Sequence, residues 1–333
     1  MNAPVVFEAL APYKEGEPIE MVVRAIRMQA EGIHSFELVQ SDGLELPAVE
    51  AGAHVDVHLP GGVVRSYSLA GDPAHRTHWT LGVLRELKGR GGSKAMHESL
   101  RVGDTVKIGW PRNAFKLATG AAHSILVAGG IGITPLKAMA HTLASRGESF
   151  ELHYCSRTPK HAAFMDELRS LVSAERLHMH HDGGDRAKAL DLIKLLKSAA
   201  PGTHVYYCGP SGFMDACTEA AKHWPSGTVH CEHFKAPERP KSDDTPAGSF
   251  EVKLAKSGET VQVLPDQTIV RALELAGHRV ATSCLSGLCG ACKVEVLEGE
   301  VDHQDYILTD EERTHCMTAC VSRAKSKCLV LDL

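Results

Sequence analysis

Apolar positions in the first third of the chain come in short runs broken by turn residues. The stretches 20–28 (EMVVRAIRM), 53–59 (AHVDVHL), 64–70 (VRSYSLA) and 79–84 (WTLGVL) read as strands, with Pro60-Gly61-Gly62 marking a turn. Closely spaced short strands of this kind predict an antiparallel β-barrel over residues 1–116. From about residue 117 the rhythm changes. Apolar strands at 124–130, 150–155 and 203–210 alternate with helical stretches at 135–145, 161–172 and 211–224. That alternation predicts an α/β domain with a parallel sheet over 117–236. Residues 237–247 (PERPKSDDTPA) have no apolar anchor and read as a linker. The last segment, 248–333, has strands at 249–255, 259–264, 293–299 and 328–333 and one helix at 268–278, a compact α+β pattern.

Composition adds limits. Hydrophobic residues make up 43% and charged residues 23% of the 333, an ordinary globular balance. The formal net charge of −5 argues against nucleic acid as a partner. No apolar run is long enough to span a bilayer, and Met1-Asn2-Ala3-Pro4 lacks the start of a signal peptide. The expectation is a cytoplasmic protein without a membrane partner. The ten cysteines all fall at or after Cys155, late in a long chain. This fits metal ligation in a reducing compartment better than a disulfide framework.

The run 284-CLSGLCGAC-292 spaces Cys284, Cys289 and Cys292 as C-x4-C-x2-C, with Cys320 downstream. Two irons bridged by sulfides need four thiolates converging on a small volume. A tight loop supplying three and a distant residue supplying the fourth is the plant-type [2Fe–2S] arrangement. Gly287 and Gly290 let the backbone wrap and aim N–H groups at sulfur, and Leu285 and Leu288 are expected to limit water access. A zinc site would pair two C-x2-C-like knuckles, and only one is present. Cys316, one helical turn before Cys320, is an alternative fourth ligand. The segment resembles a ferredoxin of the β-grasp type.

Three further runs suggest phosphate-bearing ligands. In 65-RSYSL-69, alternation puts Arg65, Tyr67 and Leu69 on one face of a strand and Ser66 and Ser68 on the other. Arg65 suits a phosphate, Tyr67 a ring and Ser68 a polar edge. In 89-GRGGSKAMHESL-100, Gly91, Gly92 and Ser93 open a helix whose first N–H groups can bind phosphate. In 127-VAGGIGITPL-136, Gly129, Gly130 and Gly132 permit close approach of a pyrophosphate, with Thr134 read as a helix cap and Pro135 as its first residue.

Together, R-x-Y-S, the later G-x-G-G-S, G-G-x-G-x-T-P and 207-YCGPSGFM-214 resemble the ferredoxin–NADP reductase superfamily. With the cysteine loop last in the chain, the order resembles the phthalate dioxygenase reductase family, which includes vanillate demethylase reductases. The resemblance implies a flavin, FMN rather than FAD, in the barrel and NADH on the second domain. It implies that Cys208 lies near the nicotinamide, that Gly209 and Pro210 shape its pocket, and that Phe234 in 230-HCEHF-234 lies by the flavin. It implies an electron-transfer oxidoreductase that serves a terminal Rieske-type oxygenase acting on an aromatic or related compound. Ser156-Arg157, after the second nucleotide-domain strand, leaves NADPH open, because an Arg there can bind a 2′-phosphate.

His178, His180 and His181 form a cluster without metal-site spacing, and the sequence assigns no metal there. Acidic residues at 298–312 suit docking to a basic partner surface or plain solvation. A flavin/iron–sulfur redox sensor, or a reductase fused to a zinc interaction module, are the competing functions.

Overall fold

A computed structural model describes residue 14 and residues 16–89, 91–235 and 248–333. The expected linker at 237–247 lies outside the described residues, as do Met1–Pro4.

The first unit holds β1 (Ile19–Ala30), β2 (Ile33–Gln40), β3 (His54–Leu59), β4 (Val63–Ser68), β5 (Trp79–Leu84), α1 (Gly92–Ser99) and β6 (Thr105–Ile108). The strands form one antiparallel sheet in the order β4-β3-β6-β1-β2-β5. A bridge between Leu69, just past β4, and Leu81 in β5 joins the two edges into a barrel. Alternation drives the closure. Ile19, Met21 and Val23 point inward with Phe36, Leu38, Val55, Val57 and Leu81, while Glu20 and Arg24 face water.

The second unit is doubly wound. It contains β7 (His123–Gly129), α2 (Ile133–Ser145), β8 (Phe150–Ser156), α3 (Met165–Leu171), β9 (Leu177–His181), α4 (Leu192–Leu195), β10 (Thr203–Cys208), α5 (Ser211–Ala221) and β11 (Val229–Glu232). All strands are parallel, in the order β11-β10-β7-β8-β9. Chain order reverses between β7 and β10, so the crevice beyond their carboxyl ends is where such sheets bind ligands. The α3 helix is shorter than the sequence pattern suggests. Phe164, 1% exposed, holds a left-handed φ of 60° just before it and breaks the expected helical run. Burial of that ring against the core of α2 outweighs the backbone cost.

The third unit has β12 (Phe250–Leu254), β13 (Thr260–Val263), α6 (Ile269–Leu275), β14 (Lys293–Glu298), β15 (Val301–Asp302), β16 (Cys316–Thr318), β17 (Arg323–Ala324) and β18 (Cys328–Leu331). Its sheet runs β13-β12-β18-β14-β16, with β12 and β18 parallel and the other pairs antiparallel. Helix α6 packs Ile269, Ala272 and Leu273 onto that sheet. This is the β-grasp arrangement. Thr268 caps α6 by accepting the Arg271 N–H.

Candidate functional site

A cavity of about 500 Å³ lies where the three units meet. Its wall includes Arg65, Ser66, Tyr67 and Ser68 from β4, Gly92 and Ser93 from α1, Thr134 from α2, Phe234, and Cys284 from the cysteine loop. The volume is within the range for a bound cofactor.

At one end, Gly91 precedes α1 in the left-handed conformation (φ 84°), and no side chain caps the helix. Gly92 packs against the Arg65 stem so closely that a Cβ there would lie 2.3 Å from Arg65 Cγ. The uncapped helix N-terminus and the guanidinium are thus gathered in one corner. Ser93 Oγ accepts the Glu86 N–H at 3.0 Å, which leaves its own O–H to donate. This donor set fits a phosphate, and the half-buried Tyr67 ring, whose phenol burial pushes up to about 12, offers an apolar wall. Leu69 packs instead in the barrel core.

On the nucleotide side, Gly129 ends β7, and Gly130–Gly132 form a single 3₁₀ turn. A Cβ on Gly132 would lie 2.0 Å from the Cys208 carbonyl oxygen, so the turn can press against the end of β10 only as glycine. That turn starts α2 two residues earlier than the sequence reading. Thr134 is the second helical residue rather than the cap, and its hydroxyl donates to the Ile131 carbonyl at 3.0 Å. Pro135 is third, tolerated because first-turn N–H groups have no helical acceptor. Gly209 and Pro210 follow β10, and Pro210 precedes α5. Ser156 is buried at the end of β8 and hydrogen-bonded to His181, whereas Arg157 is exposed.

Cys208 is fully buried, and desolvation holds its thiol well above the ordinary value, so it stays protonated. Beside it in register on β11 is Glu232, which sequence reading missed. Burial raises the Glu232 carboxyl to about 7, offset in part by the hydrogen bond it accepts from Ser68 at 3.0 Å. Glu232 therefore joins Ser68 to the end of β10. Its only signal in the sequence is the charged residue inside 230-HCEHF-234. Phe234, 39% exposed, stands at the cavity mouth.

The cysteine loop closes the far side. Ser286 and Leu288 N–H groups point at Cys284 Sγ at 3.4 Å each, and the Cys284 N–H points at Cys289 Sγ at 3.5 Å. A hydrogen bond from the Cys289 thiol, followed by the two backbone donors, pulls the Cys284 thiol below the usual range. Cys292 is pulled down in the same way by Cys320, and all four sulfurs act on one another. Cys316 lies on β16, where burial raises its thiol and its charged neighbours are Lys293, Glu295 and Glu312. Gly287 adopts φ 70°, and a Cβ there would strike Val321 at 2.7 Å. Four converging thiols with N–H groups aimed at sulfur fit a [2Fe–2S] cluster. Leu285 is 55% exposed and does not screen the loop from water, because its left-handed φ of 52° turns it outward.

A buried network fastens this loop to the barrel. Asp56 accepts hydrogen bonds from Ser66 (2.7 Å), Ser283 (2.6 Å) and Arg112 (2.7 Å). Arg112 also donates to the Cys289 carbonyl at 3.2 Å. The acidic stretch is less uniform than its sequence suggests. Asp305 is buried, accepts the Ile307 and Leu308 N–H groups and lies 3.6 Å from Arg313, while Asp310 and Glu311 are exposed.

Comparison with known proteins agrees with this layout. Residues 252–325 match the 2Fe-2S iron-sulfur cluster binding domain family, and residues 110–226 match the dimethylamine monooxygenase subunit DmmA-like N-terminal domain. The chain is 48% identical to a vanillate O-demethylase oxidoreductase of Pseudomonas sp. (strain HR199 / DSM 7063), over 95% of this chain and 100% of that one. It superimposes on phthalate dioxygenase reductase, described as modular for electron transfer from pyridine nucleotides to [2Fe-2S], with a TM-score of 0.70 and 41% identity, covering 95% and 98%. It also matches an intact type IV self-sufficient cytochrome P450 monooxygenase, with a TM-score of 0.88 and 40% identity, over 97% of this chain but only 43% of that longer one.

Proposed function

This chain belongs to the phthalate dioxygenase reductase and vanillate demethylase oxidoreductase family, and on that premise we propose that it is the NADH-dependent reductase component of a multicomponent oxygenase. The observation that carries the reading is the shared cavity. One space of about 500 Å³ is walled by the R-S-Y-S strand, the α1 N-terminus, Phe234 and Cys284. A flavin held there is within reach of both the nucleotide crevice and the cluster loop.

When bound, the nicotinamide supplies a hydride, the flavin takes electrons in pairs and releases them singly, and the [2Fe–2S] cluster carries them one at a time. The protein's part is to hold and orient. Arg65, Ser93 and the α1 N–H groups hold the flavin phosphate. Tyr67 walls its ring system. Phe234 covers the mouth facing the nucleotide domain, and the glycine turn at 129–132 receives the nicotinamide nucleotide's pyrophosphate at the positive helix end. Glu232 Oε2 accepts the Ser68 O–H and keeps a proton of its own near neutral pH. The Asp56–Arg112–Ser283 network fixes Cys284 against the flavin pocket. FMN is preferred to FAD on family grounds. The partner is a terminal oxygenase of the Rieske type, met at the exposed face around Leu285 and the acidic residues Asp310 and Glu311. The oxygenase's own substrate never touches this chain.

No helix among the described residues is long and apolar enough to cross a membrane, which supports a cytoplasmic location. The test is anaerobic titration of pure protein with NADH. Flavin and [2Fe–2S] absorption that bleach together, followed by NADH-driven turnover of a reconstituted Rieske oxygenase, support the proposal. A colourless protein, or a cluster that NADH leaves oxidised, refutes it. A colourless protein that binds zinc favours the interaction module instead. Faster reduction by NADPH than by NADH would move the cofactor preference to NADPH and give Arg157 a 2′-phosphate.

A further inference from the structure

Outside the redox site, the tertiary structure assembles a group that the sequence scatters. Glu151 and His153 are two apart on β8 and share a face, and His178 sits opposite His153 in register on β9. Glu151, His153 and His178 each offer one ligand atom, a carboxylate oxygen and two imidazole nitrogens, and the three lie within 4.8 Å of one another. Glu151 Oε1 is 3.4 Å from His153 Nε2, and Glu151 Oε2 is 3.7 Å from His178 Nε2. An ion with ligand bonds of about 2.0–2.2 Å keeps adjacent tetrahedral ligands about 3.3–3.6 Å apart. One Glu151 oxygen faces each imidazole at a spacing close to that.

His153 is 7% exposed, and its Nε2 makes no hydrogen bond. Its other nitrogen, Nδ1, lies 3.1 Å from His180 Nε2. With the His153 proton on Nδ1 and donated to His180, Nε2 presents a lone pair to a carboxylate oxygen. In that tautomer a cation placed between the two would be ligated by both. The other face of β8, with Phe150, Leu152 and Tyr154, is packed in the core. The ligand face is partly open, with the Glu151 and His178 side chains 30% and 37% exposed. The group lies toward the strands' N-terminal ends, away from the carboxyl-end crevice that holds the nucleotide.

We propose that Glu151, His153 and His178 form a divalent transition-metal site, best matched by Zn²⁺, with His180 orienting His153 and water in the fourth position. Two imidazoles and one carboxylate form a donor set typical of zinc, and a ligating histidine ordinarily donates its second N–H to a supporting group. β9 is the free edge of the five-stranded sheet, so the ion would staple that edge to β8.

The test uses holoprotein with its cluster intact, so that the four loop cysteines cannot compete. After chelation that leaves the cluster absorption unchanged, calorimetric titration with ZnCl₂ is expected to show one equivalent bound. His178→Ala and Glu151→Ala each weaken that binding by about 100-fold or more, and His180→Ala by about 10-fold, as for lost metal ligands and their supports. In the oxidised protein, whose cluster gives no paramagnetic signal, Cu²⁺ added as a probe shows coupling to two nitrogens, reduced to one in His178→Ala. NADH-driven cytochrome c reduction is unchanged in all three variants, which shows that they fold. Zn²⁺ binding that survives both His178→Ala and Glu151→Ala, uptake only with loss of cluster absorption, or no binding at stoichiometric Zn²⁺ overturns the site.

Discussion

The Asp56 carboxylate accepts a 2.6 Å hydrogen bond from the hydroxyl of Ser283, the residue immediately before Cys284 and 227 positions away in the chain. Ser66 donates to the same oxygen, and Arg112 ties the other oxygen to the Cys289 carbonyl. The strand that carries the flavin signature and the loop that carries the cluster thus share one buried carboxylate. Its ionised form is favoured by the adjacent Arg112 guanidinium and the Ser283 and Ser66 donors, against the cost of burial.

This lock makes the electron path sensitive to small changes. Ser283→Ala removes one hydrogen bond, a cost of about 1 kcal/mol in stability. Asp56→Asn leaves Arg112 without its charge partner and costs more. Both variants are expected to keep their flavin and cluster. Stopped-flow reduction with NADH should show flavin reduction unchanged and the following cluster reduction slowed by about 10-fold or more, because a misplacement near 1 Å is enough to penalise a positioned step. Equal slowing of both phases would remove the network's assigned role.

Cys320, 3% exposed and interacting with Cys292, is expected to be the fourth ligand. Cys320→Ala should abolish the [2Fe–2S] absorption envelope and the low-temperature signal of the reduced cluster. Cys316→Ala should keep both. Cluster loss in Cys316→Ala with retention in Cys320→Ala reverses the assignment.

At the phosphate corner, Gly92→Ala forces a Cβ to within 2.3 Å of Arg65 Cγ, so the Arg65 stem or the start of α1 must move. Arg65→Ala removes one charge-assisted hydrogen bond, about 2 kcal/mol or roughly 30-fold in affinity. Both variants should be isolated with less than one flavin per chain and regain it at high added FMN, read by absorbance and equilibrium dialysis. A full flavin complement in Arg65→Ala would place the phosphate elsewhere.

Glu232 gives the protein a pH-dependent stability term. Its folded value, raised to about 7, exceeds the ordinary 4.5. Between those values the folded chain holds a proton that the unfolded chain has released, so stability falls as pH rises through that window and levels off above about 7. The neighbouring groups are Ser68, the protonated Cys208, and His54, whose ring is buried and pushed down to about 4 by desolvation. Glu232→Gln removes the falling term. Relative to the parent, it should gain up to about 3 kcal/mol between pH 4.5 and 7.5 in denaturant titrations. A constant difference across that range would mean that Glu232 is ionised throughout.

The order of modules and most of the chemistry-bearing residues were legible in the chain, because they depend on local pattern. Alternation announces the barrel strands, βα rhythm announces the parallel sheet, and C-x4-C-x2-C announces the cluster loop. Glycine turns such as Gly91-Gly92 can be read because they reflect a local backbone requirement. Thr134 and Pro135 were placed on the right helix but in the wrong positions, because the 3₁₀ turn that starts α2 depends on Gly132 packing under Cys208. Leu285 was read as a shield and is exposed, because the left-handed backbone at that residue turns its side chain outward.

What the sequence by itself determined is therefore which groups are present and on which element each lies. What only the tertiary structure decided is which of them meet. Asp56 and Ser283, Ser68 and Glu232, and Glu151 with His153 and His178 are joined by strand register and by the docking of separate units. Hydrogen bonding and metal ligation act over about 2–4 Å, and no periodicity in the chain encodes a distance of that size between residues tens or hundreds of positions apart. The histidines show the difference most clearly. Read along the chain, His178, His180 and His181 carry no metal spacing, but strand register sets His178 on β9 beside His153 and Glu151 on β8.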